Sequence, residues 1–226
     1  RSTYWVSLRG GVVLRRSPGQ SRFAPIATPW KHTEGELLYD TLVRTYEGRR
    51  EQWFATRETG LYRLRDGAWT RFPPPVSNAP WRALRVLDVV DAQGRSWLWA
   101  ATNHGLARFD GTRWDTLGTD LGLTDTNVIG LSLIPDAGHR QILWLGTSSA
   151  GVARVDISDP RQPRLLPEPL PPPPDPSVYN AQVDSKGRVY LCTNNGVQLL
   201  TPTARGYESR IFGRHDGLLH QECNYV

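Results

Sequence analysis

The chain contains no methionine, two cysteines and two lysines (Lys31 and Lys186) among its 226 residues. Each scarcity excludes something. No stretch reaches the roughly 18 uncharged apolar residues of a membrane span, because Arg, Asp, Pro or Gly interrupts every apolar run. Direct membrane insertion by this segment is therefore not expected. Two cysteines cannot staple a disulfide-dense scaffold, and no Cys/His spacing fits a zinc site. Cys192 and Cys223 lie in strand-like surroundings and read either as two buried thiols or as a disulfide across neighbouring sheets. Gly-x-Ser-x-Gly and P-loop motifs are absent. None of the five histidines (His32, His104, His139, His215, His220) falls in a nucleophile or metal motif. No cofactor, no metal and no enzyme activity are expected. The lack of an initiating Met and of a signal-peptide pattern predicts a mature or excised piece of something longer.

What is present is a folded, water-compatible composition. With 38% hydrophobic residues and a mean hydropathy of -0.47, disorder, collagen and coiled coil are excluded. The net charge of +5 comes from 27 basic and 22 acidic residues, and all the basic ones except the two lysines are Arg. These arginines are spread evenly and diluted by Asp and Glu. Nucleic-acid binders gather cations into a stripe, commonly beside stacking aromatics, so no nucleic-acid partner is expected.

Five segments align with one another: YWVSLRGGVVL from Tyr4, QWFATRETGLYRL from Gln52, LWAATNHGLARF from Leu98, LWLGTSSAGVARV from Leu143 and VYLCTNNGVQL from Val189. Each carries an aromatic (Trp5, Trp53, Trp99, Trp144, Tyr190), a hydroxyl (Ser7, Thr56, Thr102, Thr147, Thr193) and a glycine (Gly11, Gly60, Gly105, Gly151, Gly196). The glycines are spaced 49, 45, 46 and 45 residues apart. A period of this length is the mark of a repeat architecture.

The period-two alternation inside each unit predicts short strands. The best-marked unit reads as Val128 to Ile134, Ile142 to Thr147, Gly151 to Val155 and a weak edge near Leu165. The unit before it reads as Leu84 to Val90, Trp97 to Thr102, Gly105 to Phe109 and Trp114 to Leu117. Asp-Gly or Asp-x-x-Gly between the runs supplies the positive φ of tight turns. Four short strands per unit, repeated, predict an all-β fold, a β-propeller of five four-stranded blades of about 45 residues in a single domain, 1-226. In that arrangement the recurring aromatic fills the wedge between adjacent sheets, a burial that contributes on the order of 2 kcal/mol or more.

The pattern Leu-Trp-x-x-Thr-x-x-Gly-Leu-x-Arg-Phe, best seen in LWAATNHGLARFDG and LWLGTSSAGVARV, resembles the two-component regulator propeller repeat. Asp216-Gly217-Leu218, echoed by Leu121-Gly122-Leu123, matches the mark that precedes the family's next inner strand. Glu222-Cys223-Asn224 stands where the family often has Glu-Phe-Asn. The resemblance implies a periplasmic sensor module of a membrane-bound signal-transduction receptor, carried ahead of a transmembrane helix and a histidine kinase or diguanylate cyclase. It also implies a small polar ligand, an oligosaccharide in several members, and a second copy of the parent receptor as partner. Propellers of similar repeat type include antibiotic-cleaving lyases, so a lyase is the alternative, and a protein-interaction scaffold another.

Family propellers generally have seven blades, whereas five marks occur here. The wrap-around distance from Gly196 through the termini to Gly11 is 41 residues, close to the internal period. The run Glu222 to Val226 has an inner-strand composition, and the N-terminus starts at a second strand. Either the last inner strand closes the ring with the N-terminal strands, removing exposed edges, or the chain is a five-blade segment of a larger propeller.

Binding is expected on the loops between second and third strands and on the blade-to-blade links, which share one face of a propeller. The loops offer Arg9, Arg57, Glu58, Asn103, His104, Ser148, Ser149, Asn194 and Asn195. The links offer Trp30, Lys31, His32, Asn78, Trp81, Arg82, Asp125, Asn127, Tyr179, Asn180, His220 and Asn224. Amides and hydroxyls interspersed with aromatics suit a saccharide, whose CH faces stack and whose hydroxyls exchange hydrogen bonds. They are also ordinary turn residues. Trp30 and Trp81 fall outside the regular aromatic series and are the favoured ligand contacts. His104 and His220, with Asp125 or Glu222, are the acid/base groups a lyase would use. The proline run LPEPLPPPPDP from Leu166 is read as a stiff spacer between blades.

Overall fold

The computed structural model describes residues 3–73, 81–167 and 170–224. The chain divides into two compact units, Arg1–Val86 and Leu87–Val226. In the first, β1 (Tyr4–Ser7), β2 (Val13–Arg16) and β3 (Ala24–Pro25) form a three-stranded sheet. There too β4 (Leu38–Tyr46), β5 (Arg49–Thr56), β6 (Gly60–Arg65) and β7 (Ala68–Phe72) form a four-stranded one. Strand β8 (Ala83–Val90) runs into the second unit and joins β9 (Ser96–Thr102), β10 (Gly105–Phe109) and β11 (Trp114–Leu117). Two further four-stranded sheets follow. One is β12 (Val128–Leu133), β13 (Ile142–Thr147), β14 (Val152–Asp156) and β15 (Arg164–Leu165). The other is β16 (Val178–Val183), β17 (Val189–Thr193), β18 (Gly196–Thr203) and β19 (Gly206–Phe212).

Strands pair in sequence order within every sheet, and the fold is an all-β propeller of such blades. The first sheet differs from the expected four strands: the chain enters it at the position that is second elsewhere. Among the described C-terminal residues the expected inner strand from Glu222 is not formed. Gln221 and Cys223 instead tie back to the last sheet, through the Gly196 N–H to the Gln221 carbonyl (2.6 Å) and the Cys223 N–H to the Thr193 carbonyl (3.0 Å). Tyr225 and Val226 lie outside the described residues.

The turns follow from their residues. Glu47-Gly48 (φ 50° and 73°) and Asp66-Gly67 (52° and 80°) place two consecutive residues in the left-handed region. That conformation matches the right-handed twist of the flanking strands. Three hairpins between first and second strands share another device. In 91–95, 136–140 and 184–188 an Asp accepts the backbone N–H of the residues two and four positions on and the Nε–H of the Arg four positions on. Those Nε–Oδ2 distances are 2.9, 2.7 and 2.7 Å.

The aromatic series packs as the repeat requires. Trp53, Trp99 and Trp144 are buried, while Trp5 and Tyr190 are half-buried. The arginine of the repeat faces the indole across the hairpin: Trp5 pairs with Arg15, Trp53 with Arg63, Trp99 with Arg108 and Trp144 with Arg154. The guanidinium carbons of Arg15, Arg63 and Arg154 lie 5.8, 5.8 and 5.5 Å from those ring centroids, within cation–π range. In the second blade a fully buried Glu51 binds Arg44, Arg63 and Arg65 and accepts the Trp53 indole N–H. Several arginines of the even distribution are therefore structural. In the second unit the inner strands β12 and β16 approach so closely that a Cβ on Gly130 would lie 2.7 Å from the Tyr179 carbonyl oxygen.

Burial alone would raise the pKa of Asp91. The N–H groups of Arg95 and Gln93, the Trp97 indole and the Arg95 guanidinium outweigh it and hold the carboxyl at about 2, below its ordinary 3.8. Its contribution to stability is thus complete above pH 4 and is lost as pH falls through about 2. Urea titrations should find Asp91→Asn less stable than the parent chain at pH 6, with the gap narrowing steadily below pH 4.

Candidate functional site

Four loops between second and third strands are built on one hydrogen-bonded elbow. The hydroxyls of Thr56, Thr102, Thr147 and Thr193 donate to the carbonyls of Gly60, Gly105, Gly151 and Gly196 at 2.9, 2.8, 3.0 and 2.7 Å. Each hydroxyl also accepts a loop N–H, from Thr59, His104, Ala150 and Asn195. All four threonines are buried, so the oxygen has no water to fall back on. The glycine must be a glycine: Gly105 and Gly196 sit at φ 106° and 101°, and a Cβ there would meet the Leu117 and Phe212 carbonyl oxygens.

Two of these loops are fixed a second time by an acid on the preceding link. In the first unit buried Glu36 accepts the Glu58 N–H (3.2 Å) and the Thr59 hydroxyl (3.1 Å). In the second unit Asp125 accepts the Ser148 and Ser149 hydroxyls (3.0 and 2.8 Å), the Ser149 N–H (2.8 Å) and the Asn127 N–H (2.8 Å). Burial would raise the pKa of Asp125, but these donors hold it below the usual carboxylate range. It remains a hydrogen-bond acceptor at neutral pH. A general acid needs the opposite shift. Glu36 was not among the residues singled out from sequence; an acid a few positions ahead of an inner strand, as Asp125 also is, is the signal that would have found it.

The inner strands begin with a bulge. Pairing skips a residue between Leu38 and Asp40, between Val128 and Gly130, and between Val178 and Asn180. The extra residues are Tyr39, Ile129 and Tyr179, all half-buried. Bulges re-aim side chains and are common beside functional sites. The Tyr179 hydroxyl donates to Asn194 Oδ1 at 3.4 Å. Burial first, then the Glu222 and Asp175 carboxylates, raises the Tyr179 pKa, so the phenol stays protonated.

The expected site residues divide by unit and by exposure. In the first unit Arg57 and Arg82 are exposed, whereas Trp30 and Trp81 are 5% and 2% exposed. The Trp30 indole donates to the Gly11 carbonyl (2.8 Å) and packs on Phe54, Tyr62 and Trp69. Trp81 lies under the β5–β6 loop, 2.8 Å from where a Cβ on Gly60 would stand. These indoles are not the surface contacts expected of them: both serve as packing at the ends of blades. Asn78 lies outside the described residues.

In the second unit Asn103, His104, Asp125, Asn127 and Tyr179 are half-buried, and Asn194, Asn195 and His220 are exposed. Asn180 is buried; its Oδ1 accepts the Ser132 hydroxyl (3.1 Å) of the neighbouring blade and so joins two sheets. The structure brings together Asp125, Asn127, Ser148 and Ser149 as one cluster, and Tyr179 with Asn194 as another. The Ser177 hydroxyl donates to the Ser148 carbonyl at 2.7 Å and so ties the two blades on this face. The proline run is anchored: Gln198 Nε2 donates to the Pro171 and Pro172 carbonyls. Cys192 and Cys223 are free thiols with sulfurs 2.8 Å apart, and burial, then the Cys223 thiol, pushes the Cys192 pKa up. Among the described residues no helix is long and apolar enough to cross a membrane.

No family model and no curated protein matches the sequence. Solved structures do share the fold. The extracellular domain assigned to a hybrid two-component system of B. thetaiotaomicron is 18% identical with a TM-score of 0.68, covering 98% of this chain and 28% of that one. A second such domain from the same organism is 18% identical with a TM-score of 0.54, covering 78% of this chain and 22% of that one. Virginiamycin B lyase from Staphylococcus aureus is 12% identical with a TM-score of 0.57, covering 93% of this chain and 66% of that one. The chain thus spans about a quarter of the length of these two extracellular domains.

Replacing Asp125 with Ala strips three donors of the Ser148–Ser149 loop of their acceptor. Charge-assisted hydrogen bonds of this kind are worth about 1.5–3 kcal/mol each before screening and non-additivity. A loss of about 1–3 kcal/mol in urea unfolding, with faster amide exchange at Ser149 and Asn127, is expected.

Proposed function

We propose that this chain is a non-catalytic ligand-binding propeller from the extracytoplasmic sensor region of a bacterial signal-transduction receptor. Its ligand is a small polar molecule, a saccharide by preference. The observation that carries this reading is the loop face of the second unit, where amide and hydroxyl groups stand on hydrogen-bonded elbows and the Tyr179 phenol stands at a bulge beside them. Preorganised donors and acceptors bind polyols without the entropic cost of ordering loops. Asn194 stands beside the Tyr179 phenol, and Asn103, His104, Asn127 and Asn195 lie on corresponding loops and links of the same unit. Two further supports are the sequence resemblance to the two-component propeller repeat and the shared fold with extracellular two-component domains. On the same basis the parent receptor is membrane-bound, and a second copy of it is the partner.

A lyase on this fold is the competing reading, since a fold is compatible with many functions. The depressed pKa of Asp125 argues against it, because that carboxylate is already committed to the serine loop.

The test is a thermal-shift screen of saccharides, then calorimetry and chromatography of the mixture for any hit. We expect a bound, unconsumed sugar whose affinity falls at least tenfold in Asn194→Ala/Asn195→Ala with the melting temperature unchanged; a tenfold loss corresponds to about 1.4 kcal/mol, one good hydrogen bond. Turnover that vanishes in His104→Ala or His220→Ala would establish the lyase instead.

A further inference from the structure

One buried side chain breaks the pattern of the repeat. The residue before the recurring aromatic is Leu98, Leu143 or Val189 in three repeats, all buried and apolar, but Gln52 in the second blade, at 5% exposure. Its Nε2 has no acceptor. The other buried carboxamides among the described residues are bonded. Gln198 Nε2 donates to the Pro171 and Pro172 carbonyls and to the Ser209 hydroxyl, and Asn180 Oδ1 accepts the Ser132 hydroxyl. A buried donor without a partner is destabilising, and the Leu of the other repeats would remove the penalty. An acceptor supplied from outside the chain would remove it too.

Gln52 lines a cavity of about 270 Å³ within the first unit. Trp5 stands opposite Arg15 across the β1–β2 pair, and Gln52 opposite Leu64 across β5–β6, so each pair shares one face of its sheet. The cavity lies between those two faces, with Trp5 and Arg15 on one wall and Arg50, Gln52, Leu64 and Asp66 on the other. The Trp5 indole N–H is a second buried donor without an acceptor, whereas its counterpart Trp53 donates to Glu51. An orphan indole alone means little, since Trp99 has one as well. Here it lines the same cavity as the orphan carboxamide. Two arginines add charge. Arg15 lies over the Trp5 ring at 5.8 Å, and neither it nor Arg50 pairs with a carboxylate among the described residues. Asp66, the one acid of the lining, is bound by Arg49 at 3.3 Å.

We infer that this wedge between the first two sheets is a binding site for a compact tetrahedral oxyanion, sulfate or phosphate, free or as a small ester. Its oxygens accept the Gln52 and Trp5 N–H groups, and the exposed guanidinium groups of Arg15 and Arg50 answer its charge from either wall. A tetrahedral group directs oxygens to both walls at once and concentrates two charges in a volume this small. A neutral ligand would leave the arginines without a role, and a cation would meet donors alone at Gln52 Nε2 and Trp5 Nε1. The site is separate from the loop face of the second unit and does not rest on its assignment.

The probes are sulfate, phosphate and methyl phosphate, titrated into the full chain by calorimetry at about pH 8, where phosphate is a dianion. Nitrate, a planar monoanion, is the control at matched ionic strength. We expect sulfate or phosphate to bind at least about tenfold more tightly than nitrate, with an affinity that falls as sodium chloride is added. Methyl phosphate binding as tightly as phosphate supports an ester as the ligand, and weaker binding supports the free ion. Gln52→Leu, which installs the residue of two other repeats, should raise the melting temperature of the free chain and weaken binding at least about tenfold. A purely structural Gln52 would not move the two readouts in opposite directions. Arg15→Gln/Arg50→Gln, at exposed positions, serves if Gln52→Leu does not fold, and should weaken binding as much. Arg71→Gln, an exposed arginine outside the lining, should leave it unchanged. No binding of sulfate or phosphate, equal affinity for nitrate, or undiminished binding in a folded Gln52→Leu or Arg15→Gln/Arg50→Gln chain would each overturn the inference.

Discussion

A buried hydroxyl that bonds to the carbonyl of a glycine four residues on, or three, is the interaction on which the rest of this structure depends. It closes each second-to-third-strand loop in four blades, at Thr56, Thr102, Thr147 and Thr193. Because the elbow satisfies its own polar atoms, the strands on either side can be buried on both faces, and the tryptophan at the start of the repeat can pack between sheets. In three repeats the arginine facing that tryptophan lays its guanidinium over the ring. Local hydrogen bonding, inter-sheet packing and the arrangement of surface charge all follow from one short motif.

The same economy separates architecture from binding. Residues that recur with the period (the aromatic, the threonine, the glycine, the arginine) are spent on the scaffold. Those that vary within the loops, such as Asn103-His104, Ser148-Ser149 and Asn194-Asn195, stand on a hydrogen-bonded base. Link acids Glu36 and Asp125 stiffen this base further, one in each unit. The three bulges that open the inner strands bring Tyr39, Ile129 and Tyr179 out of the pairing pattern. Within the second unit this yields Tyr179 beside Asn194, a polar pair held by backbone geometry.

Much of this was readable in the amino-acid order, for a physical reason. Periodic features such as the Trp99–Gly105 and Trp144–Gly151 spacings report a constraint repeated in every blade, so strands β8 to β14 could be placed within a residue or two. Features that occur once were harder. Trp30 and Trp81 lack periodic counterparts, and from sequence that singularity pointed to a ligand. Their burial shows that it marks the places where a blade end must be covered. Asn180 reads as a polar link residue but is a buried bond between sheets.

The central claim is best tested at one elbow. Thr147→Val replaces the hydroxyl with a methyl of similar size, so the Ala150 N–H loses its acceptor and the Gly151 carbonyl keeps only the backbone N–H of residue 147. Urea unfolding should show a loss of about 1–3 kcal/mol, the cost of two lost hydrogen bonds at about 0.5–1.5 kcal/mol each. A change within about 0.5 kcal/mol, the usual range of a neutral substitution, would mean that the elbow is a by-product of the fold and not its foundation.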